Sequence, residues 1–386
     1  MKILITTDLF TTATNGVVTS VKNLWSELKN KGHDVRILTL SENTHSHKDG
    51  EVYYIRSMPI GIYPDVRMPL SYRHKLIKEL IKWKPDIIHS QCEFFSMQYA
   101  KRISKITGAP IVHTYHTLYE EYAGYIVPWK KVGQMMVNYV IHKRMNKVSL
   151  VIVPTTKIKN VLEGYDIEKS IRIIPTGISL DQHKKRITEE ARRAKRESLG
   201  ISEDDTVLIN LGRLGTEKNL DELVELFGKA LSKNDKLKFL IVGDGPAKKD
   251  LEKQAKSLGI EDHVIFTGMV PPTEVQEYYQ LGDIFVSASI SETQGLTYIE
   301  AAANGMPLLC RQDDCLTDVI KTGENGYAYT CEEEFLEELS KMLKNTEWLK
   351  AAKKVSEEIA AAYDKETFGN AVEEVYTTIL ENIAVS

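Results

Sequence analysis

Ser291-Glu292-Thr293-Gln294-Gly295-Leu296-Thr297-Tyr298-Ile299-Glu300-Ala301-Ala302-Ala303-Asn304-Gly305 follows directly on an apolar run, Ile284-Phe285-Val286-Ser287-Ala288. The order is strand, polar loop, glycine, alanine-rich helix. Such a unit belongs to a parallel sheet with helices on its faces. Two carboxylates, Glu292 in the loop and Glu300 in the helix, flank Gly295. A helix start offers unpaired N–H groups and a positive dipole end to a diphosphate. A glycine there lets phosphate approach the backbone. One carboxylate can then accept hydrogen bonds from sugar hydroxyls and the other from ribose hydroxyls. A charged loop before an ordinary amphipathic helix is the plainer alternative, and it leaves Gly295 without a reason. The stretch suits a bound sugar nucleotide.

Working outward, the second half of the chain repeats this alternation. Val207-Leu208-Ile209-Asn210, Phe239-Leu240-Ile241-Val242, Val264-Ile265-Phe266, Pro307-Leu308-Leu309-Cys310 and Gly326-Tyr327-Ala328-Tyr329 read as further strands. Helices fall between them and continue over about 333–382. The first half alternates too. Lys2 to Thr7, Val35 to Leu40, Asp86 to His89, Pro110 to His113 and Leu150 to Val153 read as strands, with a helix over about 17–31 after Asn15-Gly16. A boundary is expected near Ile174-Pro175-Thr176-Gly177, and the polar stretch 181–204 reads as a helical linker and cap. The expected division is 1–175 as a first α/β domain, 176–362 as a second, and 363–386 as a helix returning to the first. Two doubly wound parallel sheets predict a cleft between them, with ligands at the carboxyl ends of the strands.

The length of 386 residues requires more than one domain of ordinary size. No run of about 18 apolar residues is present to span a membrane, and no signal-peptide pattern opens the chain, so the cytoplasm is the expected compartment. The four cysteines, Cys92, Cys310, Cys315 and Cys331, lack the companions of a zinc site. Charge is divided unevenly. Residues 1–175 carry 25 Lys+Arg against 15 Asp+Glu, a balance of +10, while the remainder carries −14 within a net charge of −4. A basic half points to an anionic surface as its partner.

Gly212-Arg213-Leu214-Gly215-Thr216-Glu217-Lys218-Asn219 follows the first strand of the second domain. Arg213 and Lys218 there suit a diphosphate leaving group, the first as a fork and the second as a point charge. Val242-Gly243-Asp244-Gly245-Pro246 reads as a tight turn that shapes the pocket. In the first domain, His113-Thr114-Tyr115-His116-Thr117 ends a strand, and His116 lies beyond the strand, where an imidazole can bond a sugar or carry part of the reaction's charge. Gly16 is a second place for backbone to approach phosphate. Between Glu121 and Glu163 there is no acidic residue, and Pro128 to Arg144, including Trp129, Lys130, Lys131, Lys143 and Arg144, reads as a basic helix bearing Trp and Met. Tyr72 to Lys84 is a second basic stretch. Helices of this composition suit an anionic membrane surface, and no nucleic-acid recognition motif accompanies them.

Together these residues resemble the retaining glycosyltransferases of family 4, whose fold is GT-B, two Rossmann-like doubly wound domains around a cleft. The family's Glu-x7-Glu signature is matched by Glu292 and Glu300, and its basic pair by Arg213 and Lys218. Its early glycine loop resembles Thr14-Asn15-Gly16-Val17-Val18, and its first-domain histidine resembles His116. The motifs stand in the family's order along essentially the whole chain. The resemblance implies a hexose moved from a UDP-sugar to a hydroxyl acceptor with retention. Glu300 would bind the ribose, Glu292 the transferred sugar, and Arg213 with Lys218 the diphosphate, beside Gly16, Gly295, Leu296 and Thr297. His116, Glu292, Arg213 and Lys218 would be catalytic. No cofactor is implied as required, a divalent metal being at most stimulatory.

One departure narrows the resemblance. Where the family usually has Gly-Phe after its first glutamate, this chain has Thr293-Gln294. That form, and Asp8-Leu9-Phe10 through Asn15 to Val21, resembles the bacterial diacylglycerol glucosyltransferases. Those are peripheral membrane enzymes that use UDP-glucose. The implied product is an α-glucosyl lipid, made at the inner face of the membrane. A soluble acceptor or a polysaccharide is the alternative. An epimerase or phosphorylase of GT-B fold is a further alternative, against which the Arg213/Lys218 and Glu292/Glu300 constellation argues.

Overall fold

The computed structural model describes residues 1–10, 15–43, 45–60, 67–118 and 130–385, and of residues 130–132 the backbone alone. The chain divides into two compact units. One is Met1–Ile178 with Lys365–Ser386, and the other is Ser179–Asp364.

In the unit Ser179–Asp364, strands Thr206–Leu211 (β10), Leu237–Val242 (β11), Val264–Gly268 (β12), Ile284–Ser287 (β13), Leu308–Arg311 (β14) and Gly326–Tyr329 (β15) form one sheet. Its order is β12-β11-β10-β13-β14-β15, all parallel. These strands are short apolar runs because both faces are covered by helices. Phe239, Ile241, Ile284 and Val286 pack with Leu223 and Phe227 of the helix Leu220–Leu231 on one face. Each such side chain contributes about 1.5–3 kcal/mol by leaving water. The expected cap at 181–204 is the helices Leu180–His183 and Glu189–Ser198, the longer one capped by Thr188, whose side chain accepts from Ala191 N.

In the other unit, the sheet runs β3-β4-β2-β1-β6-β7-β8-β9, with β5 pairing β4. The strands are Lys2–Thr6 (β1), Asp34–Ser41 (β2), His47–Asp49 (β3), Val52–Pro59 (β4), Arg67–Pro69 (β5), Ile87–Ser90 (β6), Ile111–Thr114 (β7), Leu150–Val153 (β8) and Ile171–Ile173 (β9). The side chains of β1 divide between the faces: Leu4 joins one core, and Ile3 with Ile5 joins the other. The sequence reading expected parallel pairing throughout. The structure differs at one edge, where β3 and β5 are antiparallel to β4. Three-residue strands leave no periodic signal, and β9 was hidden for the same reason.

The helix Gly16–Asn30 begins at Asn15, whose side chain accepts from Val18 N at 2.9 Å. The helix Lys365–Val385 lies against it. Phe368, Val372, Val375 and Tyr376 share a core with Val21, Leu24 and Leu28. At Gly369 a side chain would meet Glu27 Cβ at 2.8 Å, so the two helices approach where only glycine fits.

Candidate active site

In the second unit the strand order reverses between β10 and β13. The loops that leave these two neighbours at the carboxyl edge diverge and leave a crevice. They are the two loops that carry the sequence candidates: Gly212 to Asn219 after β10, and Ala288 to Gly295 after β13. Ser291 Oγ donates to Glu217 O at 3.1 Å and Asn219 Nδ2 to Ala288 O at 3.2 Å, tying them together. Lys218 Nζ lies 2.5 Å from Glu292 Oε1, and Arg213 is ion-paired with Glu217. A Cβ placed on Gly212 would lie 4.0 Å from Thr297 Cγ2, so the Arg213 turn abuts the first turn of the helix Leu296–Ala303. Arg213, Lys218, Glu292, Gly295, Leu296, Thr297 and Glu300 thus gather on one edge of one sheet.

The turn Val242 to Pro246 locks this arrangement. Leu214 N donates to Asp244 O, Gly212 N to Val242 O and Ala247 N to Leu214 O, each within 3.0 Å. A side chain on Gly243 would reach within 1.9 Å of Gly212 O, so glycine is required there by backbone contact. Gly295 also has a local reason: its φ is +72°, and an added Cβ would fall 2.4 Å from the Tyr298 ring.

Glu300 is partly buried inside its helix, and Tyr279 Oη donates to its Oε2 at 2.9 Å. Burial lifts its carboxyl to about 7, against which the tyrosine bond works only partly. Burial likewise raises the Tyr279 phenol, which stays a neutral donor. Asn304 Nδ2 donates to Glu300 O and lies 3.0 Å from His183 Nδ1; burial depresses His183 to about 4. Among the described residues, no group of three or more His, Cys, Asp or Glu is disposed to hold a metal.

The first unit has its own reversal of strand order, between β1 and β6. Here the loop after β6, Gln91 to Phe94, meets the end of β7. His116 Nε2 lies 2.7 Å from Gln91 Oε1, and His113 Nε2 lies 3.1 Å from Glu93 Oε1. His89 bridges Tyr376 Oη at 2.6 Å and Thr114 Oγ1 at 2.7 Å. Burial pushes His116 down to about 4 and His89 well below its ordinary range. Asp8, at the end of β1, accepts from Ser96 N at 2.6 Å and so caps the helix Phe95–Thr107 from outside it. Gly16 is the first residue of its helix, beside the Asn15 cap.

The basic segment forms the helix Lys130–Met145. Trp129 lies outside the described residues, as do the side chains of Lys130 and Lys131. Met135, Met136 and Tyr139 are exposed, with Lys143 Nζ 5.7 Å from the Tyr139 ring. Positions 135, 139 and 143 share one face of a helix. Arg144 turns the other way. Its guanidinium donates to Glu93 O and sits 5.0 Å from the Phe94 ring. In the second basic stretch, the helix Lys75–Trp83 buries Leu76, Ile77 and Leu80, and Trp83 Nε1 donates to Asp34. Its aromatic ring is committed inside the unit.

Sequence reasoning passed over Glu217, Tyr279, Gln91 and Glu93. The last two lie in the short loop that follows a buried strand, as Arg213 does, and that position was the available signal. Tyr279 had none, because it reaches Glu300 only through the fold.

The chain is similar to known proteins along most of its length. The model for "Glycosyl transferases group 1" matches residues 191–360, and that for "Glycosyltransferase Family 4" matches residues 14–182. The alpha-monoglucosyldiacylglycerol synthase of Streptococcus pneumoniae is 35% identical over 331 residues, covering 85% of this chain and 75% of that one. The protein of the same name from Acholeplasma laidlawii is 30% identical over 390 residues, covering 99% and 98%. In fold, the chain is similar to Anabaena HepE in complex with UDP and glucose, with a TM-score of 0.77 at 15% identity, covering 98% of this chain and 100% of that one. With relatives this similar over most of its length, the chain belongs to glycosyltransferase family 4 and has the GT-B fold.

Proposed function

We propose that this enzyme transfers glucose from UDP-glucose to the free hydroxyl of diacylglycerol, with retention at the anomeric carbon, while bound at the cytoplasmic face of the membrane. The observation that carries the reading is the 30–35% identity to two alpha-monoglucosyldiacylglycerol synthases over most of the chain.

The residues take roles that their chemistry supports. The start of the helix Leu296–Ala303, with Arg213 and Lys218, faces the diphosphate. Glu300 receives the ribose hydroxyls and Glu292 the glucose hydroxyls. The acceptor oxygen attacks the anomeric carbon from the face the diphosphate leaves. The bond from that carbon to the phosphate oxygen breaks, its electron pair stays on the phosphate, and that phosphate takes the acceptor's proton. Arg213 and Lys218 stabilise the charge as it develops. Lys218 and Glu292 touch, so the cation that meets the leaving group also holds the carboxylate that meets the sugar. His116, neutral at physiological pH, offers a hydrogen bond without a charge. The first unit faces the lipid. Support comes from the exposed Met135, Met136, Tyr139 and Lys143 of one helix and from the +10 balance of residues 1–175.

The test is release of UDP from UDP-glucose, with and without diacylglycerol in anionic micelles. Release that depends on diacylglycerol is expected. Equal release with a soluble alcohol and no lipid would send the acceptor assignment to the soluble alternative.

A further inference from the structure

Gln91 stands at the strand-order reversal of the first unit, directly after β6, the strand that takes the place β13 has in the second unit. Its backbone is pinned, since Gln91 N donates to Thr6 O at 2.8 Å, and only 1% of the residue is exposed. The loop it opens is held from several sides. Ser90 Oγ donates to Cys92 O at 3.1 Å, Arg144 grips Glu93 O, and the Glu93 carboxylate reaches His113. The side-chain amide is therefore a fixed object, and the one hydrogen bond it makes among the described residues is to His116 Nε2.

A carbonyl oxygen only accepts. An imidazole nitrogen facing it must carry the proton, and the other nitrogen then keeps its lone pair. We propose that Gln91 is a positioning residue, which holds His116 in the Nε2–H tautomer and presents the Nδ1 lone pair to a hydroxyl of the bound substrates. The inference rests on the proposed function, in which His116 acts on those substrates. The charged and titratable groups near the ring are Glu93, His113 and His89. An amide oxygen orients the imidazole without adding charge to that set, and it accepts only, where a hydroxyl could donate or accept.

The first measurement is the nitrogen-15 spectrum of the histidine-labelled protein. A His116 signal of the Nε2–H type is expected, and an Nδ1–H signal overturns the proposal. Gln91→Met keeps length and volume but not the amide. It is expected to lower kcat by about 10- to 100-fold while the KM for UDP-glucose moves less than about threefold. Gln91→Glu places a carboxylate against Nε2. It should raise the His116 titration toward neutrality and move the acid limb of the pH–rate profile with it, which a merely structural role would not do. His116→Ala separates the two roles. An inactive His116→Ala beside a fully active Gln91→Met overturns the role of Gln91 alone, and an active His116→Ala overturns the role of His116 itself.

Discussion

The two strand-order reversals of this molecule are alike in topology and opposite in electrostatics. At the second unit's edge the side chains are charged and paired: Lys218 with Glu292, Arg213 with Glu217. At the first unit's edge His89 and His113 are buried and His116 is half-buried, and two of the three, His89 and His116, are driven toward neutrality. On the proposed function a departing diphosphate needs cations, and these partly exposed pairs would supply them at a smaller desolvation cost than buried ones. On the same proposal a substrate hydroxyl needs a directed hydrogen bond, and the half-buried neutral ring of His116 would supply it without attracting the diphosphate. One fold thus builds two kinds of site from equivalent strand ends, by changing the residues of the loop that leaves each.

The contrast breaks first at Glu292. Glu292→Gln keeps a hydrogen-bonding group near Lys218 but removes the charge. Turnover should drop about 10²- to 10³-fold while calorimetric UDP affinity stays within a few-fold. Parallel loss of both would make Glu292 a nucleotide ligand.

Gly295 tests whether the second edge is built by backbone geometry. Gly295→Ala combines a left-handed φ with a clash on Tyr298, and should cost about 2–4 kcal/mol in urea unfolding. Gly323→Ala, at φ +81° with open space around it, should cost about 1–2 kcal/mol. Equal losses would mean that the Tyr298 contact is unimportant.

Glu300 sharpens the comparison through pH. Its carboxyl stands near 7 in the fold, above its ordinary 4.5. If Glu300 accepts from ribose as proposed, that carboxylate is lost as pH falls through 7, and UDP affinity should weaken about tenfold per unit below that point. Glu300→Gln should bind UDP less tightly and lack this pH dependence. Stability runs the other way: the raised pKa contributes stability that is full below about 4.5 and lost as pH rises through 7. Glu300→Gln should accordingly melt above the parent at pH 8, with the gap closing toward pH 5. A parent whose UDP affinity is flat between pH 6 and 8 would remove Glu300 from the ribose.

The smallest effect is at the membrane. Lys143→Ser should weaken binding to anionic vesicles about fivefold, the share of one cation near the surface. Arg144→Ala should leave vesicle binding nearly unchanged and lower turnover, because its guanidinium holds Glu93. The reverse ranking would make Arg144 the anchor.

Much of this was legible in the sequence because the strands that position the second site are continuous apolar runs ending in glycine turns. Gly212, Arg213, Lys218, Glu292 and Glu300 each sit within a short stretch of such an end. The antiparallel edge strands β3 and β5 were not legible, being only three residues long. Nor were the partners of Tyr279 and Gln91, although the place of Gln91 after a buried strand was. Each acts through one contact across the fold, 21 residues to Glu300 and 25 to His116. No local period encodes such a contact. Arg144 and Lys143 look equivalent in sequence, and only the direction each takes from the helix separates them.

The most direct test of the account is the structure of the lipid product formed from UDP-glucose and diacylglycerol. Mass spectrometry with proton NMR is expected to find one glucose on the diacylglycerol hydroxyl, with the small H1–H2 coupling of an α linkage. A β-linked product, or glucose recovered only as free sugar beside unreacted diacylglycerol, would contradict it.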